Sequence, residues 1–329
     1  MRRVSAIVVN WRQPELTSAA VASLEHQTGL EGVDFVITIV DNGSGDGSAE
    51  LLAERHPAHT VVAAATNGGF GAGVNAGIRA VPADAYVLLN NDAEAEPGFV
   101  AALAGALESS PAAGAVTARI LLRERYRRLA PGSRAPHALT GFDGGSWVVD
   151  PAGAELVNST GNESTRSGNG RDRDWLTPVA SAVTPAAEPF GFSGGASALR
   201  ATALDEVGLF DESLFMYYED TDLSWRLRRA GWSIGYAPDA TVRHAHAASS
   251  GTGTELFRFH NERNRILVAA KHAPAPVLLT ALARTAFRRR FRSLGAAMRR
   301  LPAALGERRR LDRSAVVPRG AVAALLVED

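Results

Sequence analysis

Cysteine is absent from all 329 residues, which rules out a disulfide framework, a thiolate metal site and a cysteine nucleophile together. Long apolar runs are absent as well. No stretch approaches the roughly 20 residues that span a bilayer, and the most apolar C-terminal candidates are interrupted by Arg284, Pro318 or Arg319. The apolar run at residues 4–9 is cut by Asn10, too short for the core of a secretory leader. A cytoplasmic chain, peripheral at most on the inner face of the plasma membrane, is the expectation.

Net charge is the third thing lacking, with 35 basic and 35 acidic residues. The balance conceals a split, because residues 271–313 hold Lys271 and eleven arginines against only Glu307 and Asp312. A tail of that kind meets an anionic surface while the acidic body handles something else. Nucleic acid is not the expected partner, since the tail carries no recognisable reading module. What is present in quantity is ordinary globular material, 46% apolar and 21% charged, so most of the chain should fold.

Apolar runs at residues 5–9, 33–40, 61–65 and 86–89 alternate with helical spacing at 15–27 and 48–55. Strand alternating with helix predicts an α/β fold with a mostly parallel central sheet flanked by helices, and ligands at the carboxyl ends of its strands. Asp41, Asn67 and Asp92 all fall at that edge. Past residue 130 the pattern fails, and segment 131–189, rich in Gly, Ser, Thr and Asn, reads as a long, partly flexible insertion. Helices are expected at 201–207 and 221–230, a short strand at 233–236, and helix throughout from 254. The division is thus a catalytic domain at 1–253, with a ligand-binding half to residue 100 and a catalytic half beyond it, followed by a helical, Arg-rich extension at 254–329.

Chemistry concentrates in two places. Asn90-Asn91-Asp92 follows a buried strand and presents one carboxylate where a hard cation would share oxygen ligands with a substrate phosphate. An Asp after a strand is by itself more often a turn residue. The segment 210–226 carries five carboxylates, among them Glu219, Asp220 and Asp222, interleaved with aromatics whose burial tunes proton affinity. One of them suits a general base. The bland alternative is that these acids cap the helix that follows, and capping is compatible with catalysis.

The order of motifs is more specific than any one of them. Val8-Val9-Asn10-Trp11, Val40-Asp41-Asn42-Gly43-Ser44, Asn67-Gly68-Gly69-Phe70-Gly71-Ala72-Gly73-Val74-Asn75, Leu88-Leu89-Asn90-Asn91-Asp92, Tyr218-Glu219-Asp220-Thr221-Asp222-Leu223 with Arg226, and residues 244–250 follow one another along the chain. Across residues 4–272 it resembles the family 2 glycosyltransferases of GT-A fold, in particular their rhamnosyltransferase-like bacterial branch. The resemblance implies inverting transfer of a sugar, such as rhamnose or another deoxysugar, from a TDP- or UDP-sugar to a hydroxyl-bearing acceptor.

It also implies roles. Asp41 would bind the pyrimidine base. Val9, Asn10, Trp11, Asn67, Gly68, Gly71, Asn75, Asn90 and Asn91 would border the nucleotide sugar. Asp92 and His244, with His246 as a rival, would ligate Mg²⁺ or Mn²⁺, and Asp220, beside Glu219, would be the base. Asn90 and Asn91 depart from the acidic triplet of many relatives, leaving Asp92 the charged ligand there and predicting weaker intrinsic metal binding.

Two other readings compete. Gly71-Ala72-Gly73-Val74-Asn75-Ala76 satisfies a loose dinucleotide pattern with Asp92 about 20 residues on, although the glycines follow the third strand instead of the first. A non-catalytic binding protein on the same fold is the other, and the joint presence of Asp41, Asp92, Asp220 and His244 argues against it. In the tail, Phe287, Phe291, Leu294, Met298 and Leu301 recur at helical spacing with arginines around them. That predicts either a helix lying on an anionic membrane or one packed on the catalytic domain. The membrane reading would make a lipid-linked or cell-wall acceptor natural, whereas the packed one leaves a small natural product equally open.

Overall fold

The computed structural model describes residues 1–133, 135–181, 188–245 and 254–329. Its first half is strand and helix in alternation: β1 (Arg3–Asn10), α1 (Pro14–Glu25), β2 (Asp34–Asp41), α2 (Ser48–Arg55), β3 (Thr60–Ala63), α3 (Phe70–Ala80), β4 (Ala85–Asn90), β5 (Ala93–Ala95), α4 (Phe99–Ser109) and β6 (Ala113–Arg128). Strands β3, β2, β1 and β4 lie side by side and parallel. Alternation along β1 sends Val4, Ala6 and Val8 into a layer shared with α1 and α4, and Ile7 into the opposite layer with α3, as a strand's period of two requires. α3 sits unusually close to β1, because a Cβ on Gly73 or Gly77 would lie 2.6 Å from Val9 or 2.8 Å from Ile7.

Segment 131–189 departs from the expectation of a loose insertion. It contains β7 (Leu139–Thr140), β8 (Ser146–Val149), β9 (Ala154–Ser159), β10 (Asn162–Ser164) and β11 (Gly170–Asp172). β8 and β9 pair antiparallel with the far half of β6, around Leu122, Tyr126, Trp147, Leu156 and Leu176. Strands this short, cut by Gly- and Asn-rich turns, lack the apolar alternation that announces a strand. β10 and β11 form a separate hairpin, and a parallel bridge from Thr165 to Val327 clips it to the C-terminal residues.

Next come β12 (Ala196–Arg200), α5 (Ala201–Val207), α6 (Glu219–Ala230) and β13 (Ser233–His244). β12 runs antiparallel between β4 and β6, and β13 is parallel to β6 with β5 against its end. β13 is much longer than the expected strand at 233–236: a register shift between Ala237 and Thr241 lets it continue to His244. Pro238, at the shift, hides the continuation in the sequence.

The final layer is α7 (Glu255–His272), α8 (Ala275–Phe287), α9 (Phe291–Ser314) and α10 (Arg319–Ala323). Its apolar faces share one cluster with Phe190, Tyr218 and Trp225, so it is packed into the body. The apolar face expected along 287–301 is divided. Arg288, Arg289 and Arg290 turn the chain between α8 and α9, with Arg289 at φ 54°. Leu294 and Leu301 pack inward, while Phe287 and Phe291 are exposed.

The layer is fastened by charge as well. Asp222 is wholly buried in α6, and its carboxylate accepts from Arg226 Nε at 3.0 Å, Lys271 Nζ at 3.0 Å and His272 Nε2 at 2.8 Å. Burial would raise the Asp222 pKa, yet Lys271, Arg226 and His272 hold it well below the ordinary carboxylate value. Burial pushes His272 down to about 4, against the pull of Asp222, so the imidazole donates as a neutral ring. Removing one partner of a buried charge cluster strands the others, a loss of about 3–5 kcal/mol. Asp222→Ala should therefore lower urea stability by about 3–5 kcal/mol, while Arg166→Ala, which breaks an exposed pair with Glu328, should cost less than about 1 kcal/mol. Equal effects of the two would mean that α6 is not held by this cluster.

Candidate active site

Three clusters of polar side chains line the edge where the parallel strands end. In the first, Asn10 and Asp41 close β1 and β2 in register. Asn10 Nδ2 donates to Asp41 Oδ1 at 2.7 Å, Ser44 Oγ to the same oxygen at 2.5 Å, and the Ser44 N–H to Oδ2 at 3.0 Å. Three donors fix the carboxylate and leave acceptor capacity on Oδ2. Trp11 stands half exposed beside it, with the Arg12 guanidinium 5.3 Å from its ring centroid. Asn42 braces the next loop, donating to Asn67 Oδ1 at 3.1 Å and Gly69 O at 2.9 Å and accepting from the Gly68 N–H at 3.3 Å. Gly69 has φ 87°, and a Cβ there would come 1.9 Å from Phe215 O, so only glycine fits.

Val9, Gly71 and Asn75, expected from the sequence to border the ligand, make packing and bracing contacts within the fold. Val9 packs on Gly73, and Gly71 backs onto Phe210. Asn75 is buried, donating to Phe210 O and Glu212 Oε1, both at 2.9 Å, and accepting from the Phe210 N–H. Its amide is used up joining α3 to the segment before α6. The glycines of the dinucleotide-like pattern thus serve close packing of α3.

The second cluster follows β4. Asn91 donates weakly to Gln13 and Thr17, and Asn90 gives its backbone N–H to Gly195 O at 2.9 Å. His244 pairs with Ala93 across β13 and β5, which sets its Nε2 3.0 Å from Oδ1 of the buried Asp92. Its Nδ1 lies 2.7 Å from Asn158 Oδ1. With the Nδ1 proton given to Asn158, the Nε2 lone pair faces a carboxylate oxygen, so two electron-pair donors converge where a cation or a proton belongs. Among the described residues no group of three or more His, Asp or Glu side chains gathers to hold a metal. A divalent ion would then take these two ligands from the protein and the rest from elsewhere. His246, the rival ligand, lies outside the described residues, as does the motif from 246 to 250.

The third cluster opens α6. Asp220 Oδ2 accepts from Asn162 Nδ2 at 2.7 Å and from the Gly194 N–H at 3.2 Å; Oδ1 accepts from the Thr221 N–H at 2.6 Å and, more weakly, from its hydroxyl at 3.3 Å. Burial raises the Asp220 pKa, and these hydrogen bonds temper the rise without cancelling it. Glu219 is more enclosed: burial, then the neighbouring Asp220, pushes it up to about 8, and its Oε2 has no partner among the described residues. Asp172, the residue opposite Asn162 in the β10–β11 hairpin, is raised to about 6 by burial, with Ser159 and His244 opposing and Asp220 adding to it.

The second and third clusters meet at one turn. Gly194 donates to Asp220 and Gly195 accepts from Asn90, two residues before Asp92. Asn158, Asn162, Asp172 and Gly194 were not singled out in the sequence. The Gly194-Gly195 pair was the available signal, a turn dipeptide leading into a strand; Asn158 and Asn162 sit on strands without apolar alternation and offered none.

An open, mostly parallel α/β sheet with these clusters at its carboxyl edge defines a GT-A transferase fold, and solved glycosyltransferases share it. GalNAc-T7, solved with UDP, GalNAc and Mn²⁺, superposes with a TM-score of 0.60 at 15% identity over 84% of this chain and 49% of its own; the present chain spans about half of that one. The mannosyltransferase PcManGT from Pyrobaculum calidifontis, in complex with GDP-Man and Mn²⁺, gives 0.50 at 17% identity over 98% and 79%. At such identities the likeness is of fold.

Sequence comparison goes further. A model described as glycosyl transferase family 2 matches residues 5–159, and one described as glycosyltransferase like family 2 matches 173–266. N-acetylglucosaminyl-diphospho-decaprenol L-rhamnosyltransferase of Mycobacterium tuberculosis is 30% identical over 251 residues, 72% of this chain and 75% of that protein. The chain belongs to glycosyl transferase family 2 and is a glycosyltransferase enzyme similar to that rhamnosyltransferase, which sets aside the oxidoreductase reading.

Glu219 gives a test of the electrostatics. Its folded pKa, about 8, lies above the ordinary 4.5, so the folded state keeps a proton that the unfolded state releases. That contribution to stability is complete below pH 4.5 and is lost as pH rises through 8. Glu219→Gln should flatten the fall in melting temperature between pH 5 and pH 8 and raise it at pH 8 by on the order of 2 °C or more. An unaltered slope would show that Glu219 is ionised in the folded protein.

Proposed function

We propose that the enzyme moves a sugar, rhamnose or another deoxysugar, from a pyrimidine nucleoside diphosphate to a hydroxyl of a lipid-linked glycan, with inversion at the anomeric carbon. The observation that carries this reading is the Gly194-Gly195 turn, which joins a base-like carboxylate at Asp220 to the Asp92–His244 pair. The rhamnosyl cargo and the lipid-linked acceptor are supported by the similarity to the mycobacterial N-acetylglucosaminyl-diphospho-decaprenol L-rhamnosyltransferase. A pyrimidine donor is supported by Asp41 and Trp11, a fixed acceptor beside an exposed flat ring. Uracil and thymine present the same ring N–H to Asp41, so TDP- and UDP-sugars both suit it.

Asp92 and His244 are the residues that would hold Mg²⁺ or Mn²⁺, and the Mn²⁺ in the two solved neighbours accords with this. Such an ion, bound with the donor, would offset the charge gathering on the leaving diphosphate. Asp220 receives the acceptor proton as the acceptor oxygen bonds to the anomeric carbon, and the bond to the diphosphate oxygen breaks with its electron pair on that oxygen. The long Thr221 hydroxyl contact, at 3.3 Å, is the one an acceptor hydroxyl would replace. Asn162 and the Gly194 N–H keep the other carboxylate oxygen in place.

Calorimetry with TDP and UDP, each with Mn²⁺ or a chelator, tests the donor half. Binding should need the metal and should fall at least about tenfold in Asp92→Ala, with His244→Ala milder. Asp220→Asn should bind the donor as the wild type does and lose about 10²-fold or more in transfer. The acid limb of kcat/KM, which reports Asp220 in its ionised form, should lie above the ordinary carboxylate range because its pKa is raised. Full transfer by Asp220→Asn would defeat the assignment.

A further inference from the structure

The C-terminal layer ends in an apolar tip that is exposed among the described residues. α7 and α9 run parallel: Arg292 pairs with Glu255 at 2.7 Å where both begin, and Arg308 donates to the Ala270 and Ala273 carbonyls where α7 ends. α8 links the end of α7 to the start of α9, so its last residues fall toward the end where α7 and α9 start, and Arg288 pairs with Glu262, two turns into α7. Three large apolar side chains come out at that end: Leu256 is 52% exposed, Phe291 66% and Phe287 90%. Met298, two turns along α9 from Phe291, is 47% exposed. An isolated exposed Leu needs no explanation, but a phenylalanine at each side of a three-arginine turn does.

The charge around the tip is net positive, six arginines against Glu255 and Glu262. Arg288 and Arg292 have acidic partners, whereas Arg258, Arg289, Arg290 and Arg299, all exposed, have none among the described residues. Arginine around protruding aromatics is complementary to a surface with an apolar interior and anionic headgroups. A protein partner would call for a flat or grooved complementary face, whereas these side chains form a convex corner between two helices.

We infer that the α8–α9 corner docks on an anionic lipid bilayer, with Phe287 and Phe291 entering the interface and Arg258, Arg289, Arg290 and Arg299 meeting lipid phosphates. The inference rests on, and deepens, the lipid-linked acceptor reading. It also gives that reading a direction. The first turns of α7 at the corner carry Phe257, whose ring is 4.9 Å from that of Tyr217, and His260, stacked at 5.2 Å on Phe215. Tyr217 is three residues from Asp220, so the docked corner brings the base-bearing segment toward the membrane.

Co-sedimentation of the full chain with vesicles tests it, with no donor or acceptor present, so the result is independent of turnover. Vesicles with about 30% phosphatidylglycerol should bind the protein, and pure phosphatidylcholine should bind it at least about tenfold more weakly. Phe287→Ser with Phe291→Ser should lower binding by about tenfold or more, and Arg289→Gln with Arg290→Gln by a similar factor that shrinks at high salt. These side chains are exposed, so circular dichroism should stay unchanged, and transfer to a detergent-solubilised acceptor should persist. Loss of that transfer in the wild type, with vesicle binding intact, would count against the enzymatic reading alone. Absent vesicle binding, wild-type binding by the Phe double variant, or a dimer in light scattering that this variant converts to monomer without any lipid binding, would each overturn the docking inference.

Discussion

The buried carboxylate of Asp222 is the constraint on which the catalytic end of the molecule depends. It sits two residues after Asp220, in the first turn of the same helix, and must be paired because a lone charge in that position would cost several kcal/mol. Its partners come from two directions: Arg226 from its own helix, and Lys271 and His272 from the end of α7. Lys271 also reaches Asp211 and Glu307. Burial opposes the charge on Lys271, but Asp222, Asp211 and Glu307 together raise its pKa, so the cluster stays ionised. The helix bearing Asp220, the proposed base, is therefore positioned by residues beyond 254, and the Arg-rich extension is a structural part of that end of the molecule.

The backbone leading to Asp220 explains why so much fastening is needed. Phe215, Tyr217 and Tyr218 all have positive φ, between 64° and 73°, each costing energy for a side chain with a Cβ. Asn264 of α7 donates to the carbonyls of Leu214, Met216 and Tyr217, and Phe70 donates its N–H to Phe215 O. Tyr218 is clamped through its hydroxyl, which accepts from the Gly170 N–H and donates to Gly168 O in the insertion. A relaxed helix entry would satisfy the same backbone groups without this help. The strained one turns Asp220 toward Asn162 and Gly194 while sending Asp222 into the core.

How much of this was legible follows from the range of the signals. The strands ending at Asn10, Asp41 and Asn90 and the helices between them were readable because each is a local apolar pattern, and the polar residues at strand ends followed from parallel topology. The meeting of Asp92 with His244 depends on β13 running on past a register shift at Ala237, which no local pattern announces. The contacts of Asn75 with Phe210 and Glu212, and of Gly71 with Phe210, were not legible either, since a motif records spacing and not which side of a helix a residue takes. The tail's apolar spacing was real, and the turn at Arg288–Arg290 divided its use between core and surface.

The insertion couples two of the three polar clusters. Asn158 and Asn162 both belong to it, one touching His244 and the other Asp220, and Asp172 lies opposite Asn162 in the hairpin. A segment without regular patterning thus supplies hydrogen bonds to both a metal-ligand candidate and the proposed base, and presents a further acid beside them. Because amides rather than charges make those contacts, they orient the two groups without adding net charge to the site. One segment thus braces both His244, the partner of Asp92, and Asp220 at the start of α6, so a change in its packing reaches the two clusters together.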